Sequence, residues 1–243
     1  MKNIIFLDFD GVLFNTVKEA YAIAMISTKR SDTIKNIDFS SEHYQNFLKY
    51  RYLVSPAWNY KYILELLECK ENINFEDSYN LLCNKACKSD YIDFENSFFE
   101  TRQYLKKIDF AKWLKMNEPY PFLNTIKEYL IEKNDKFIIV TTKDKETIQK
   151  LLKINGINFN KESIYDKNDF EKYNNKANII TVLIDTYNID NAIFIDDSIE
   201  HLEKCKHIKT LELYQANWGY ISKEASIALS NEMIFNKIKE LIG

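Results

Sequence analysis

The sequence predicts an α/β fold: a doubly wound parallel sheet into which an all-helical domain is inserted. Three observations carry this expectation. Short continuous apolar runs alternate with segments of helical periodicity, the pattern of a sheet buried on both faces. A stretch of about a hundred residues near the N-terminus holds helical patterns and no convincing strand. Only four glycines and three prolines punctuate 243 residues, too little turn chemistry for a many-stranded β fold.

In chain order, Ile4–Leu7 reads as the first buried strand and runs straight into Asp-Phe-Asp-Gly. Thr16 with Glu19 reads as a capping box that opens a helix through Val17, Tyr21 and Ala24. Helical stretches follow around Ser41–Arg51, Trp58–Glu68, Asn74–Ser89 and Ser97–Leu114. Tyr120-Pro121 marks the return to the α/β part, ahead of a helix at Asn124–Glu132. Phe137–Val140, Ala192–Ile195 and Thr210–Leu213 read as further strands, with a weaker one around Ser163–Tyr165. Between them, Asp144 to Asn155 places Ile148, Leu151 and Leu152 on one face, and Gly156 stops the helix. Lys176 to Asn188 carries Ile179, Ile180, Leu183, Ile184 and Tyr187 at helical spacing. The expected organisation is an α/β core over residues 1–15 and 118–243, interrupted by a helical domain over 16–117.

Composition removes several function classes. The 33 Lys+Arg nearly balance 36 Asp+Glu, for a net charge of −3, so no basic surface for nucleic acid or anionic membrane is expected. No apolar run reaches the roughly 18–20 residues that span a bilayer, and Asp8 and Asp10 interrupt the N-terminal run too early for a signal peptide. A cytoplasmic location is therefore expected. Cys69, Cys83, Cys87 and Cys205 do not suggest a disulfide framework. Cys83 and Cys87, one helical turn apart, are expected as buried thiols on a helix. His43, His201 and His207 are scattered, which argues against a histidine-centred hydrolase or zinc site.

Ligands of an open parallel sheet bind beyond the carboxyl ends of its strands. Here those ends deliver Asp8 and Asp10, then Thr141, Thr142 and Lys143, then Asp196, Asp197 and Ser198. Four carboxylates at one edge repel one another unless a cation is present, and an all-oxygen acidic cluster suits Mg²⁺.

Asp8-Phe9-Asp10-Gly11-Val12, Thr141 after an apolar strand, a basic residue near Lys176, and Asp196-Asp197-Ser198 together resemble the four motifs of the haloacid dehalogenase superfamily of phosphohydrolases. The helical insertion after the first motif is similar to the cap of its C1-capped branch, and Trp218-Gly219-Tyr220 resembles a turn of phosphoglycolate-phosphatase-like members. The resemblance covers about 1–15 and 118–243; the cap matches in position and helical character only. It implies a Rossmann-like core and a phosphoric monoester hydrolase acting on a small phosphorylated metabolite, with the cap closing over the site. Asp8 would be the nucleophile, forming an aspartyl-phosphate, and Asp10 the general acid/base. Thr141 would bind a phosphoryl oxygen and a lysine would neutralise its charge. Asp8, the Asp10 carbonyl and Asp197 would hold Mg²⁺, with Asp196 as ligand or outer acceptor. The chain lacks the family's Lys-Pro pair, so Lys176, Lys172 and Lys167 are all candidates for the lysine; Lys176 is preferred because it opens the helix feeding the third strand-end motif. Asn15 stands where relatives commonly carry Asp at the cap hinge, and Glu200 follows the Asp pair as in many relatives. Thr142 is a candidate substrate contact. So is Arg51, in a short aromatic stretch suited to clamping an anion, with Arg102 a further candidate. Two alternatives share the chemistry: a phosphomutase acting on a sugar phosphate, and a phospho-accepting receiver-type regulatory domain.

Overall fold

In a computed structural model that describes residues 2–69, 73–222 and 228–243, Leu7 lies opposite Ile139 on one side and Ile195 on the other. This register organises the α/β unit, Met1–Asn15 with Glu118–Gly243; Thr16–Asn117 forms a second unit. Along the chain the elements are β1 (Asn3–Leu7), β2 (Phe14–Asn15), α1 (Val17–Ser27), α2 (Glu42–Tyr50), α3 (Asn59–Leu67), α4 (Phe75–Lys85), α5 (Lys88–Ile108) and α6 (Phe110–Lys115). They continue with β3 (Glu118–Pro119), α7 (Pro121–Glu132), β4 (Phe137–Val140), α8 (Lys145–Ile154), β5 (Ile164–Tyr165), α9 (Asp169–Tyr173) and α10 (Lys176–Tyr187). Last come β6 (Asn191–Asp196), α11 (Ile199–Cys205), β7 (Leu211–Gln215) and α12 (Asn231–Ile242).

The main sheet has the order β5-β4-β1-β6-β7, and all four of its pairings are parallel. Burial on both faces explains the unbroken apolar runs. Ile4, Phe6, Ile138, Val140, Ala192 and Phe194 pack on one face with Ile179, Ile180 and Leu183 of α10 and Leu202 and Cys205 of α11. The intervening Ile5, Leu7, Ile139, Ile193 and Ile195 are equally buried and point to the opposite face, because side chains alternate along a strand. Read in chain order, the strands stand 3-2-1-4-5, so the order reverses at β1. That excludes the receiver alternative, whose doubly wound order is 2-1-3-4-5.

Several local expectations change. Thr16 makes no side-chain cap bond at α1, and Glu19 turns instead into the helical unit to meet Arg102 and Trp113. The break between α4 and α5 falls at Ala86–Cys87, not at Ser89–Ser97. Ala86 is extended (φ −65°, ψ 131°), and Cys87 caps α5 in a box with Asp90. Cys83 and Cys87 therefore belong to different helices, Cys83 half-buried and Cys87 exposed. The short antiparallel pairing of β2 with β3, Phe14↔Pro119 and Asn15↔Glu118, was not anticipated; neither was α12. Among the described residues no helix is long and apolar enough to cross a membrane.

Candidate active site

Parallel pairing sets Asp8 and Asp196 side by side. The Asp8 amide donates to the Ile195 carbonyl at 2.9 Å, so the residue after β1 stands level with the last residue of β6. Lys176, the first residue of α10, is only 2% exposed. Its Nζ lies 2.9 Å from Asp8 Oδ2 and 2.8 Å from Asp196 Oδ2. A buried ammonium is tolerated only when paired and hydrogen-bonded, and here two carboxylates share it. Asp8 Oδ1 accepts the Phe9 N–H at 2.7 Å, Asp196 Oδ1 accepts the Ser198 N–H at 2.8 Å, and His201 Nδ1 approaches Asp196 Oδ2 at 3.1 Å.

The three charges are unequally stabilised. Burial alone would lower the Lys176 pKa, but Asp196 and Asp8 outweigh it and hold the ammonium above the ordinary lysine range. Burial would likewise raise Asp196, yet Lys176 and then His201 draw it well below the usual carboxylate range. For Asp8 burial wins: its pKa is raised, Lys176 offsetting the desolvation only in part and the Asp196 charge adding to it.

Asp10 lies on the turn after β1, where Lys143 Nζ stands 3.2 Å from its Oδ1. Asp197, the residue after β6, has its own backbone and side-chain partners. Its Oδ2 accepts the Tyr220 N–H at 2.6 Å and its carbonyl accepts Gln215 Nε2 at 2.9 Å. Two glycines leave room for it: a Cβ on Gly11 would lie 2.2 Å from Asp197 Oδ2, and one on Gly219 would lie 2.3 Å from Asp197 Cβ. Trp218 Nε1 donates to the Val12 carbonyl and Tyr220 Oη to Asn15 Oδ1, tying the Trp218-Gly219-Tyr220 turn to the segment after β1. Gly11 also has φ +90°. Gly11→Ala is expected to destabilise the chain by about 3 kcal/mol, combining left-handed backbone strain with overpacking. In an Asp197→Ala background the cost should fall to the backbone part, since the crowding atoms are gone. Denaturant unfolding of the four proteins checks this, and equal costs in both backgrounds would defeat it.

Thr141 is buried at the end of β4, its amide bonded to the Tyr165 carbonyl; Thr142 beside it is half-buried. Of the three candidate lysines, Lys176 is the one placed against Asp8 and Asp196. Lys167 is half-buried and engages Asn168, while Lys172 lies against the Tyr173 ring. In the helical unit, the Arg51 guanidinium is buried, donating to the Val54 carbonyl at 3.0 Å with the Tyr60 ring at 5.3 Å. Arg102 makes a buried ion pair with Glu19. Both arginines have structural partners within that unit. Glu200 pairs with Lys204 on the surface.

Sequence reading missed His201 and the Lys143–Asp10 pair. His201 lies five residues beyond Asp196, and α11 returns it to the strand end; that spacing was its only signal. Ligand atoms of Asp8, Asp196 and His201 lie within 4.8 Å of one another, and the buried Asp10 Oδ1 has no hydrogen bond despite its nearby ammonium. The carboxylate oxygens of Asp8, Asp10 and Asp196 are donors of the kind a hard divalent cation takes, with a His201 ring nitrogen beside two of them.

No protein-family model and no curated protein matches the sequence. Solved structures do. A haloacid dehalogenase-like family hydrolase from Streptococcus pneumoniae is 15% identical with a TM-score of 0.55, covering 98% of each chain. A protein described as a predicted phosphatase from Clostridium acetobutylicum is 18% identical with a TM-score of 0.60, over 99% of this chain and all of that one. A hydrolase from Pseudomonas syringae is 15% identical with a TM-score of 0.59 over the whole of both chains. The chain has the haloacid dehalogenase-like hydrolase fold, a parallel α/β core with a helical insertion after its first strand.

Proposed function

We propose that this chain is a Mg²⁺-dependent phosphatase that hydrolyses a small phosphate monoester through an aspartyl-phosphate on Asp8. One observation carries the reading: at the carboxyl edge of the sheet, where strand order reverses, a buried carboxylate stands against a buried ammonium that a second carboxylate fixes from behind. That is the arrangement an in-line phosphoryl transfer needs.

In this reading an Asp8 oxygen attacks phosphorus while the bond to the leaving oxygen breaks. Asp10 gives that oxygen a proton, then takes one from the water that hydrolyses the acyl phosphate. Lys176 neutralises phosphoryl charge, Asp196 orients Lys176, and Thr141 donates to a phosphoryl oxygen, with Thr142 beside it. Asp8, the Asp10 carbonyl and Asp197 would hold Mg²⁺, with Asp196 as a further ligand or as the acceptor for Lys176. Bound there, the ion supplies the positive charge that lets an anionic carboxylate approach an anionic phosphate.

Inorganic phosphate should appear when the purified protein meets a panel of small phosphate esters with Mg²⁺, and a chelator should suppress it. A protein that releases phosphate from none of them is not this enzyme. Isomerisation of a sugar phosphate without net release would assign the same site to a mutase.

A further inference from the structure

Lys143 takes no part in the mechanism above, yet its side chain is fully buried. Burying an ammonium costs several kcal/mol unless a partner compensates it, and Asp10, 133 residues earlier in the chain, is within reach. Nζ lies 3.2 Å from Asp10 Oδ1 and 3.5 Å from Oδ2. The backbone that carries Lys143 is braced on both sides. The Thr141 amide is tied to the Tyr165 carbonyl, the Lys143 amide lies 3.4 Å from Thr141 Oγ1, and Asp144 caps α8 through the Thr147 N–H at 3.0 Å. Asp166 holds the Lys145 N–H at 2.8 Å. The ammonium is therefore delivered from a fixed point, whereas Asp10 sits on a turn and is itself partly exposed.

We infer that Lys143 is a positioning residue for the general acid: its ammonium holds the Asp10 carboxyl at the place from which a proton reaches the leaving oxygen. The inference rests on the phosphatase reading and adds to it a second buried lysine with a different task. Lys176 serves the nucleophile and the phosphoryl group; Lys143 serves proton transfer. The proton moves from the Asp10 carboxyl to the ester oxygen as the phosphorus–oxygen bond breaks, and Lys143 keeps its own proton throughout.

The test uses leaving groups that differ in their need for a proton. An alkyl phosphate expels an alkoxide and depends on the acid; p-nitrophenyl phosphate expels a stabilised phenolate and does not. Single-turnover release from the Mg²⁺-loaded protein is measured for wild type, Lys143→Met, Asp10→Asn and the double variant. With protein in saturating excess over ester these rate constants do not depend on the fraction of protein folded, so a destabilised Lys143→Met still reports. The alkyl rate is expected to fall by about 10²-fold in Lys143→Met, the p-nitrophenyl rate by only a small factor. The double variant should be no slower with the alkyl ester than Asp10→Asn alone. An equal fall for both esters would show that Lys143 binds the phosphoryl group and would overturn the inference, as would a double variant whose losses multiply. A wild-type protein that releases neither leaving group overturns the phosphatase reading, and the inference with it.

Discussion

Asp8→Asn is expected to lower phosphate release by about 10⁴-fold or more, the scale seen when an enzyme loses its nucleophile, without destabilising the chain. An amide oxygen does not displace an ester oxygen from phosphorus, so the loss should appear in kcat whatever the substrate. The stability half follows from the electrostatics. Burial raises the Asp8 pKa, and Lys176 does not fully offset it. A carboxyl raised in the folded state contributes stability below its unfolded value, near 3.8, and loses it as pH rises through the folded value. An ionised Asp8 is therefore a charge the folded chain would be more stable without. Asparagine keeps the shape and removes that charge, while Lys176 keeps its 2.8 Å contact with Asp196. In chelator, denaturant unfolding should place Asp8→Asn level with wild type or above it, and the advantage should shrink toward pH 4. Phosphate release retained by the variant would remove Asp8 as nucleophile. A variant markedly less stable than wild type would show that Lys176 outweighs the burial. Together the two halves describe a site that holds its reactive group at a cost to the fold, a common arrangement for functional residues.

What the sequence disclosed depended on how local the signal was. β1, β4 and β6 were legible because parallel strands buried on both faces need continuous apolar runs, and Ile4–Leu7, Phe137–Val140 and Ala192–Ile195 are such runs. Asp8, Asp10, Thr141 and the Asp196-Asp197 pair were legible as candidates because each ends a strand or follows one within three residues. The side chains' partners were not. The Tyr220 N–H that Asp197 accepts and the two glycines that leave room for it span the chain from residue 11 to 220, and nothing local announces them. Thr16 and Glu19 have capping-box spacing, but a tryptophan and an arginine some 80–95 residues downstream compete for the same carboxylate and win. The break at Ala86–Cys87 has neither glycine nor proline, and cysteine is not among the usual helix caps. The pairing of Phe14–Asn15 with Glu118–Pro119 involves two residues on each side, too short for any period to show.

Glu19 leads to the second large effect, a stability loss in the helical unit. Its carboxylate is fully buried and receives Arg102 Nε at 3.1 Å and Trp113 Nε1 at 2.7 Å. The guanidinium also lies 5.2 Å from the Phe98 ring and 5.5 Å from Phe99, so one contact set joins α1, α5 and α6. Arg102→Met keeps much of the apolar stem but withdraws the cation from a carboxylate that water does not reach. Breaking a buried pair from one side costs about 3 kcal/mol or more, and that loss is expected here. Glu19→Gln removes the charge and keeps an acceptor for the Trp113 N–H, so in the double variant Arg102→Met/Glu19→Gln more than half of the loss should return. Trp58 and Trp113 lie in the helical unit and Trp218 in the α/β unit, so tryptophan fluorescence during denaturant unfolding can follow both, with Trp218→Phe isolating the helical signal. If Arg102 were held ready for a substrate anion, its removal would leave stability nearly unchanged and raise KM. A loss under about 1 kcal/mol, the size of an exposed ion pair, would favour that role; the full loss with rescue by Glu19→Gln assigns Arg102 to the packing of its own unit.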